Sequence, residues 1–298
     1  MVHPHKDSGR SLKLALVITT AFFILELTGG YFSGSLALIS DAGHMLSDVL
    51  ALLLSLGALT LAAQLPTKQR TYGFLRAEIL AALVNALLLV AVSVGILWEA
   101  YQRILTPAPV HGLLMGAVAV AGLVANIAVA FLLYGSHNLN IRSAFLHVIG
   151  DTVSSVAVIM AAIWISLTGQ TLADPVLSGI IAVLILFSAA GILRETLIIL
   201  LQFTPPSVDF DAVVADMTSV AGVSGVHHVH IWSLSSEINV LDAHVYSCER
   251  DAGKIEIMKR EIKKRLERYH IHHSTLEFEC EECSNCAVVD LPSAPNHG

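Results

Sequence analysis

Charged residues are scarce in this chain, and their scarcity limits what kind of protein it can be. Of its 298 residues only 14% are charged, whereas 55% are hydrophobic and the mean hydropathy is +0.70. Soluble domains contain about 25% charged residues, because their surfaces face water. The composition therefore excludes an ordinary soluble protein and predicts an integral membrane protein.

The chain also lacks an excess of basic residues. Its net charge is −7; residues 1–204 hold nine Lys/Arg and nine Asp/Glu, and the remainder holds eight and fifteen. Proteins that bind nucleic acid need a basic patch for the phosphate backbone. The charge balance argues against a nucleic-acid partner and is compatible with a tail that attracts cations.

Cysteine is absent from the first 247 residues. The four cysteines are Cys248, Cys280, Cys283 and Cys286, and the last three are spaced C-x-x-C-x-x-C. This spacing suits a metal site or a reducing compartment better than a disulfide framework. We therefore expect the tail to lie in the cytosol.

Motifs of enzyme chemistry are missing as well. The sequence contains no His-Glu-x-x-His zinc motif, no Gly-x-Ser-x-Gly elbow and no glycine-rich phosphate loop. An intramembrane enzyme would need a nucleophile or an activated water. The sequence therefore predicts a protein that is not an enzyme.

Long apolar runs are abundant. A helix needs about 20 apolar residues to cross a bilayer core, and six runs reach that length, at 12–32, 36–62, 76–100, 112–134, 142–168 and 175–201. The N-terminus and the second and fourth connections carry Lys and Arg, as cytosolic segments do, whereas the first and fifth carry none. We predict six transmembrane helices with both chain ends in the cytosol.

Past Pro205-Pro206 the pattern becomes that of a soluble domain. An amphipathic stretch, two alternating stretches, a Lys/Glu-rich helix and a last alternating stretch predict the order α-β-β-α-β. The expected domains are a cytosolic segment at 1–10, a six-helix transmembrane domain at 11–204 and a cytosolic metal-binding α+β domain at 205–298.

Two predicted spans carry the same polar pattern, His-x-x-x-Asp. The second contains His44 and Asp48, and the fifth contains His147 and Asp151. Residues i and i+4 of a helix lie about 40° apart and about 6 Å along the axis, so each pair points one way. Each intramembrane charge costs about 2.5–3.5 kcal/mol, so a repeated pair is more than local packing. The pattern predicts one four-ligand metal site.

The donor set indicates the metal. Two imidazole nitrogens and two carboxylate oxygens suit tetrahedral Zn²⁺ and admit Co²⁺ or Cd²⁺, whereas Mg²⁺ and Ca²⁺ prefer more oxygens. Asp41 shares the face of His44, and we expect it to support the ligands or to line the path into the site. We expect Glu26, Asn85 and Asn126 to make hydrogen bonds between helices and not to bind metal.

Several segments give the chain a family resemblance. Ser35–Asp48 (SLALISDAGHMLSD), Tyr72–Glu78 (YGFLRAE) and the His147/Asp151 pair resemble the zinc-transporting branch of the cation diffusion facilitator family. The resemblance implies a homodimer of six-span protomers in a bacterial inner membrane. It also implies ferredoxin-like, metallochaperone-like tails and the exchange of metal for protons. Branches with Asp at the position of His44 are associated with manganese, so a His here favours zinc.

Family-like segments in the tail imply a regulatory metal site. Carried over residue by residue, they suggest His230, His244, His272 and Glu279, with Asp242, His228 and His273 as neighbours. Strand alternation puts His273 and Glu279 on one face, whereas the family pattern favours His272, so this ligand stays open. Surface histidines on a solvated sheet are the alternative.

The cysteines at the end of the tail resemble a cysteine pair of some zinc-transporting members. In those members N-terminal histidines of the neighbouring subunit complete the site, which suggests His3 and His5 here. This chain has three candidates, Cys280, Cys283 and Cys286, so which two of them bind the metal stays open.

The expected function is efflux of zinc, cadmium or cobalt by proton-coupled antiport, regulated by zinc at the tail. Two alternatives are a membrane metal sensor that does not transport and a zinc channel or uniporter. A sensor would need no ligands within the spans, so the intramembrane pairs argue against it.

Overall fold

The computed structural model describes residues 6–62, 67–133, 139–280 and 287–289, with side chains described for 16–50, 53, 57, 67–128, 149–280 and 287–289. Contacts divide the chain into two compact units, Met1–Gln64 with Ala81–Leu193 and Leu65–Leu80 with Arg194–Gly298. Within the described residues the first part of the chain forms six long helices. They are α1 (Lys6–Ser33), α2 (Leu36–Ala62), α3 (Leu75–Leu105), α4 (Gly112–Leu133), α5 (Leu139–Thr168) and α6 (Ala173–Leu200).

These helices turn apolar side chains outward. Leu113, Leu167 and Phe187 are each more than four-fifths exposed, as expected for residues that face lipid. Among the described residues, four helical stretches are long and apolar enough to cross a membrane, namely Leu16–Ser33, Leu75–Leu105, Ile149–Thr168 and Ala173–Leu200. The prediction of apolar helical spans is confirmed. The number six stays a prediction, because α2 is not among these stretches and α4 contributes a shorter apolar segment, Gly112–Ala128.

A tight turn reverses the chain between α1 and α2, which pack against each other. Gly34 has φ +71°, a conformation that side chains disfavour, and a Cβ there would lie 2.7 Å from the carbonyl oxygen of Pro109. The turn therefore needs glycine, and it makes α1 and α2 an antiparallel pair.

The N-terminus of α2 is capped by a buried carboxylate from α6. Asp174, which is 0% exposed, accepts hydrogen bonds from Ser35 Oγ (2.6 Å), Leu36 N (2.8 Å) and Ala37 N (3.1 Å). Arg103 Nη1 on α3 lies 3.8 Å from the same carboxylate. A helix N-terminus carries partial positive charge, so a carboxylate stabilises it. This cluster holds the start of α2, the helix that carries His44 and Asp48.

The second unit contains a small α/β domain. Its elements are α7 (Phe210–Thr218), β1 (Gly225–Ser233), β2 (Asn239–Tyr246), α8 (Ala252–Leu266), a 3-10 turn (Glu267–Tyr269) and β3 (Ile271–Glu279). The strand order is β1-β2-β3, with β1 antiparallel and β3 parallel to β2. The helix and strand order predicted from the sequence is thus present, in a three-stranded sheet.

Both helices of this domain pack on the sheet. Val213 and Met217 of α7 and Ile262 of α8 join Leu241 and Val245 of β2 in one buried cluster. Each helix begins at an aspartate whose carboxylate accepts backbone N–H groups. The sheet positions the histidines of the tail.

Candidate metal centres

Three ionisable side chains share one face of α2. Asp41, His44 and Asp48 are three and four residues apart, so a helix places them in one row. Asp41 is buried, with 7% of its surface exposed, and the other two are half-buried.

Side-chain contacts among the described residues join this row to α5. His44 Nε2 lies 3.7 Å from Asp151 Oδ1, and Ser154 Oγ donates a hydrogen bond of 2.8 Å to Asp41 Oδ1. The residue number falls along α2 as it rises along α5, so the helices are antiparallel here. The same register, continued by one helical turn, sets Asp48 level with residue 147 of α5.

The structure thus brings His44 and Asp151 together and adds Asp41 beside them. His147 lies on α5, but its side chain is outside the described part of the chain. Asp48 follows His44 by one turn of α2. The four-ligand site stays a prediction that this helix pairing supports.

A cavity of about 520 Å³ opens at this pair. Asp41, His44, Asp151 and two serines form its polar lining, and the rest is apolar surface of α5 and α6. None of the described lining residues is Lys or Arg. Two carboxylates and one imidazole in a largely apolar wall form a polar centre that can attract a cation.

A second, smaller cavity of about 20 Å³ adjoins the same residues. Its polar lining adds Glu26 of α1 and Asn126 of α4 to Asp41, His44 and Asp151. Glu26 is 3% exposed, and its Oε2 has no hydrogen-bond partner among the described residues. Sequence reasoning assigned Glu26 only to helix packing. The sequence did contain one indication of its position. Glu26 and Asp41 lie at similar distances from the turn between α1 and α2, so they are at similar depths in the membrane.

In the tail, three side chains meet closely enough to bind one metal ion. Candidate ligand atoms of His227, His244 and Glu279 all lie within 4.8 Å of one another. In the described part of the chain, this is the cluster of three or more His, Cys, Asp or Glu residues that is close enough to hold a metal ion. Glu279 Oε1 is 2.6 Å from His244 Nδ1, and Glu279 Oε2 is 3.0 Å from His227 Nε2. Two imidazoles and a carboxylate form a donor set that suits zinc-like ions.

Strand register explains why His227 takes part. His227 lies directly opposite His244 in the β1–β2 ladder, and a bulge follows between His227 and His230. His228, at the bulge, has φ 48°, and its ring centroid lies 5.0 Å from that of His244. The bulge therefore turns two consecutive histidines toward one histidine of β2.

The other predicted tail ligands lie elsewhere. His230 is opposite Asp242 in the ladder and lines a separate pocket with Trp232. His272 is exposed on β3, and His273 stacks edge-on against Tyr72 at 6.1 Å between ring centroids. Of the predicted four, His244 and Glu279 are together and His230 and His272 are not in their cluster. Strict strand alternation could not find His227, because the bulge breaks that alternation.

The cysteine site is only partly described. Cys280 is exposed just after β3, whereas Cys283, Cys286, His3 and His5 lie outside the described residues. The pairing of these cysteines stays a prediction.

Comparison with known proteins covers nearly the whole chain. Residues 12–201 match the cation efflux transmembrane domain family, and residues 205–280 match the cytoplasmic domain of cation efflux proteins. The zinc transporter ZitB of Pectobacterium atrosepticum is 42% identical over 95% of this chain and 90% of its own. ZitB of Escherichia coli is 40% identical over 99% and 95%. The cadmium, cobalt and zinc/H(+)-K(+) antiporter of Bacillus subtilis is 37% identical over 94% and 93%.

Proposed function

Because the chain belongs to the cation efflux family, we propose that it exports zinc or a similar divalent cation from the cytosol in exchange for protons. The observation that carries this proposal is the contact of His44 with Asp151 between two helices that each bear a His-x-x-x-Asp pattern. Relatives named as zinc transporters and as a cadmium, cobalt and zinc antiporter support the choice of cation. The proposed activity moves an ion and makes no covalent bond.

The proposed transport site consists of His44, Asp48, His147 and Asp151. Two carboxylates balance the charge of a divalent ion, and two neutral imidazoles complete a tetrahedron, which suits Zn²⁺. The antiparallel pairing of α2 and α5 supports this set, because it sets Asp48 level with residue 147.

Proton coupling follows from the same ligands. An imidazole must be neutral to bind metal, and the pKa of an unperturbed imidazole is about 6.5. Metal and protons therefore compete for it. If the outward-facing state meets a more acidic solution, protons displace the ion there. The proton gradient then drives export without ATP, as the helices rock between two orientations.

The proposed setting is a homodimer in the bacterial inner membrane, with six spans per protomer and both chain ends in the cytosol. The apolar helices and the bacterial relatives support this setting. A tail of roughly 90 residues buries a modest core, which a partner copy would stabilise.

We assign the regulatory cytosolic site to His227, His244 and Glu279, with His230 and His272 outside it. The ligand atoms of His227, His244 and Glu279 lie within 4.8 Å of one another. Cys280, Cys283, Cys286 and the N-terminal His3 and His5 remain candidates for a further ion near the end of the tail. Metal bound here would favour one arrangement of the two tails and thereby regulate flux.

The test is zinc flux by the purified full-length protein in liposomes. Asp48→Ala and Asp151→Ala should each abolish flux, because each removes a charge that balances the ion. Glu99→Gln is the matched control, since Glu99 is half-exposed at the end of α3 and pairs with Arg103. Wild-type flux in either aspartate variant would refute the assigned site.

A further inference from the structure

Glu26 is a buried carboxylate that the four-ligand site does not use. It is 3% exposed, lines the 20 Å³ cavity and has one oxygen, Oε2, without a hydrogen-bond partner among the described residues. A carboxylate that served only to join helices would have both oxygens engaged, since an unpaired buried polar atom is costly. Its orientation toward the cavity therefore points to a ligand.

The neighbouring helix leaves room for this carboxylate. A Cβ at Gly122 of α4 would lie 2.9 Å from Glu26 Oε1, so glycine is what lets the carboxylate lie there. Asn126, one turn further along α4, lines the same cavity, and its Nδ2 points to Ser155 Oγ at 3.4 Å. The amide therefore has its carbonyl oxygen available as a donor atom to a cation.

Carboxylates dominate the ionisable lining of this cavity. Glu26, Asp41 and Asp151 are in its lining with His44, and none of its described lining residues is Lys or Arg. Like charges at this depth are neutralised by bound cations or protons.

The cavity adjoins His44 and Asp151, and Glu26 and Asp41 lie on its side nearer the α1–α2 turn. A helix rises about 1.5 Å per residue, which gives each residue's distance along its helix from the α1–α2 turn. Asp41 is about 8 Å and Glu26 about 10 Å from the turn. His44 is about 12 Å and Asp48 about 18 Å from it. With both chain ends in the cytosol, that turn faces the exterior. The two carboxylates therefore lie on the outward side.

The volume limits the occupant. About 20 Å³ holds one water-sized particle, so a divalent ion fits there without its hydration shell. A transported ion also needs a weaker place to go when it leaves a tight site. Oxygen donors bind zinc less tightly than imidazole does.

We propose that Glu26 and Asp41, with the carbonyl oxygen of Asn126, form a second position for the divalent cation on the outward side of the transport site. This inference rests on the proposed function. Glu26 receives the ion as it leaves His44 and Asp151, so it acts on release and not on uptake. It is a cation-contacting residue of the transport path.

The test compares Glu26→Gln with the control Glu99→Gln in proteoliposomes, with Zn²⁺ as the probe. Glu26→Gln keeps the shape and removes the charge. The maximal flux should fall about tenfold, whereas the half-saturating zinc concentration should change less than about threefold. The substitution removes a contact that the ion makes with Glu26 only after uptake, so it slows release and leaves uptake nearly unchanged. Fluxes are normalised to the amount of monodisperse protein.

A second pair of variants moves the carboxylate without removing it. Gly122→Ala should also lower the maximal flux, because the new methyl group displaces Glu26. Gly116→Ala is the control on the same helix, where the added Cβ would meet Ala162 Cβ at an ordinary 3.4 Å. This pair keeps the test decisive if Glu26→Gln does not fold.

Three results would overturn the inference. They are unchanged maximal flux in both Glu26→Gln and Gly122→Ala, loss of equilibrium zinc binding in Glu26→Gln as in Asp151→Ala, and a changed proton-to-zinc ratio at unchanged zinc flux. The last would make Glu26 a proton site. If the wild type itself does not move zinc, the proposed function fails instead, so the two failures are distinguishable.

Discussion

Glu279 holds the tail cluster together, because each of its carboxylate oxygens contacts a different imidazole. Oε1 lies 2.6 Å from His244 and Oε2 lies 3.0 Å from His227. In the proposed tail site this carboxylate would orient both rings, as carboxylates do beside metal-binding histidines. Glu277 also reaches His244 Nε2, at 3.6 Å, but is largely exposed. The cluster is thus partly preorganised by a single side chain.

His227→Ala should therefore abolish zinc-dependent stabilisation by the tail site, whereas His230→Ala should retain it. A site at 100 times its Kd stabilises a protein by about 2.7 kcal/mol, which appears as a zinc-induced rise in melting temperature. The measurement uses full-length protein that also carries Asp151→Ala, so that the transport site does not contribute. The opposite result, with the rise lost only in His230→Ala, would move the site to His230.

At the scale of elements, α2 is placed by its first turn. Asp174 accepts two backbone N–H groups and one hydroxyl from that turn, and Arg103 lies beside it. The proposed ligands His44 and Asp48 follow within about four turns, so a shift of the N-terminus would shift them as well.

Asp174→Ala should lower both the thermal stability and the zinc flux of the full-length protein. Hydrogen bonds to a charged group contribute about 1.5–3 kcal/mol each, and the substitution leaves three donors of Ser35, Leu36 and Ala37 without their acceptor. Asp174→Asn keeps one acceptor oxygen and should be intermediate. A melting temperature of Asp174→Ala equal to that of Glu99→Gln would show that the cap does not hold α2.

At the scale of the whole molecule, charge is distributed unevenly along the chain. Residues 1–204 are neutral overall, whereas residues 205–298 carry the net charge of −7. An acidic domain raises the local concentration of cations near its surface. In the proposed mechanism the membrane part balances the charge of the cation locally, through its few carboxylates.

Zinc export should accordingly respond to a pH gradient. Flux should rise when the side that receives zinc is made more acidic, because protons there displace the ion from imidazole and carboxylate ligands. The measurement is zinc flux in proteoliposomes under imposed pH gradients, with internal pH followed by a dye. Zinc movement that neither responds to the gradient nor shifts internal pH would identify a channel or uniporter.

Local spacing along the sequence determined the apolar helices, the shared face of His44 and Asp48, and the α-β-β-α-β order. Helical periodicity and strand alternation act between near neighbours, so the sequence carries them directly. Only the tertiary structure decided that Glu26 joins Asp41 in one cavity, and that His227 lies opposite His244 whereas His230 lies opposite Asp242. The first depends on where α1 turns back at Gly34 and on the room left by Gly122. The second depends on a strand register and a bulge, which are set by long-range pairing and packing.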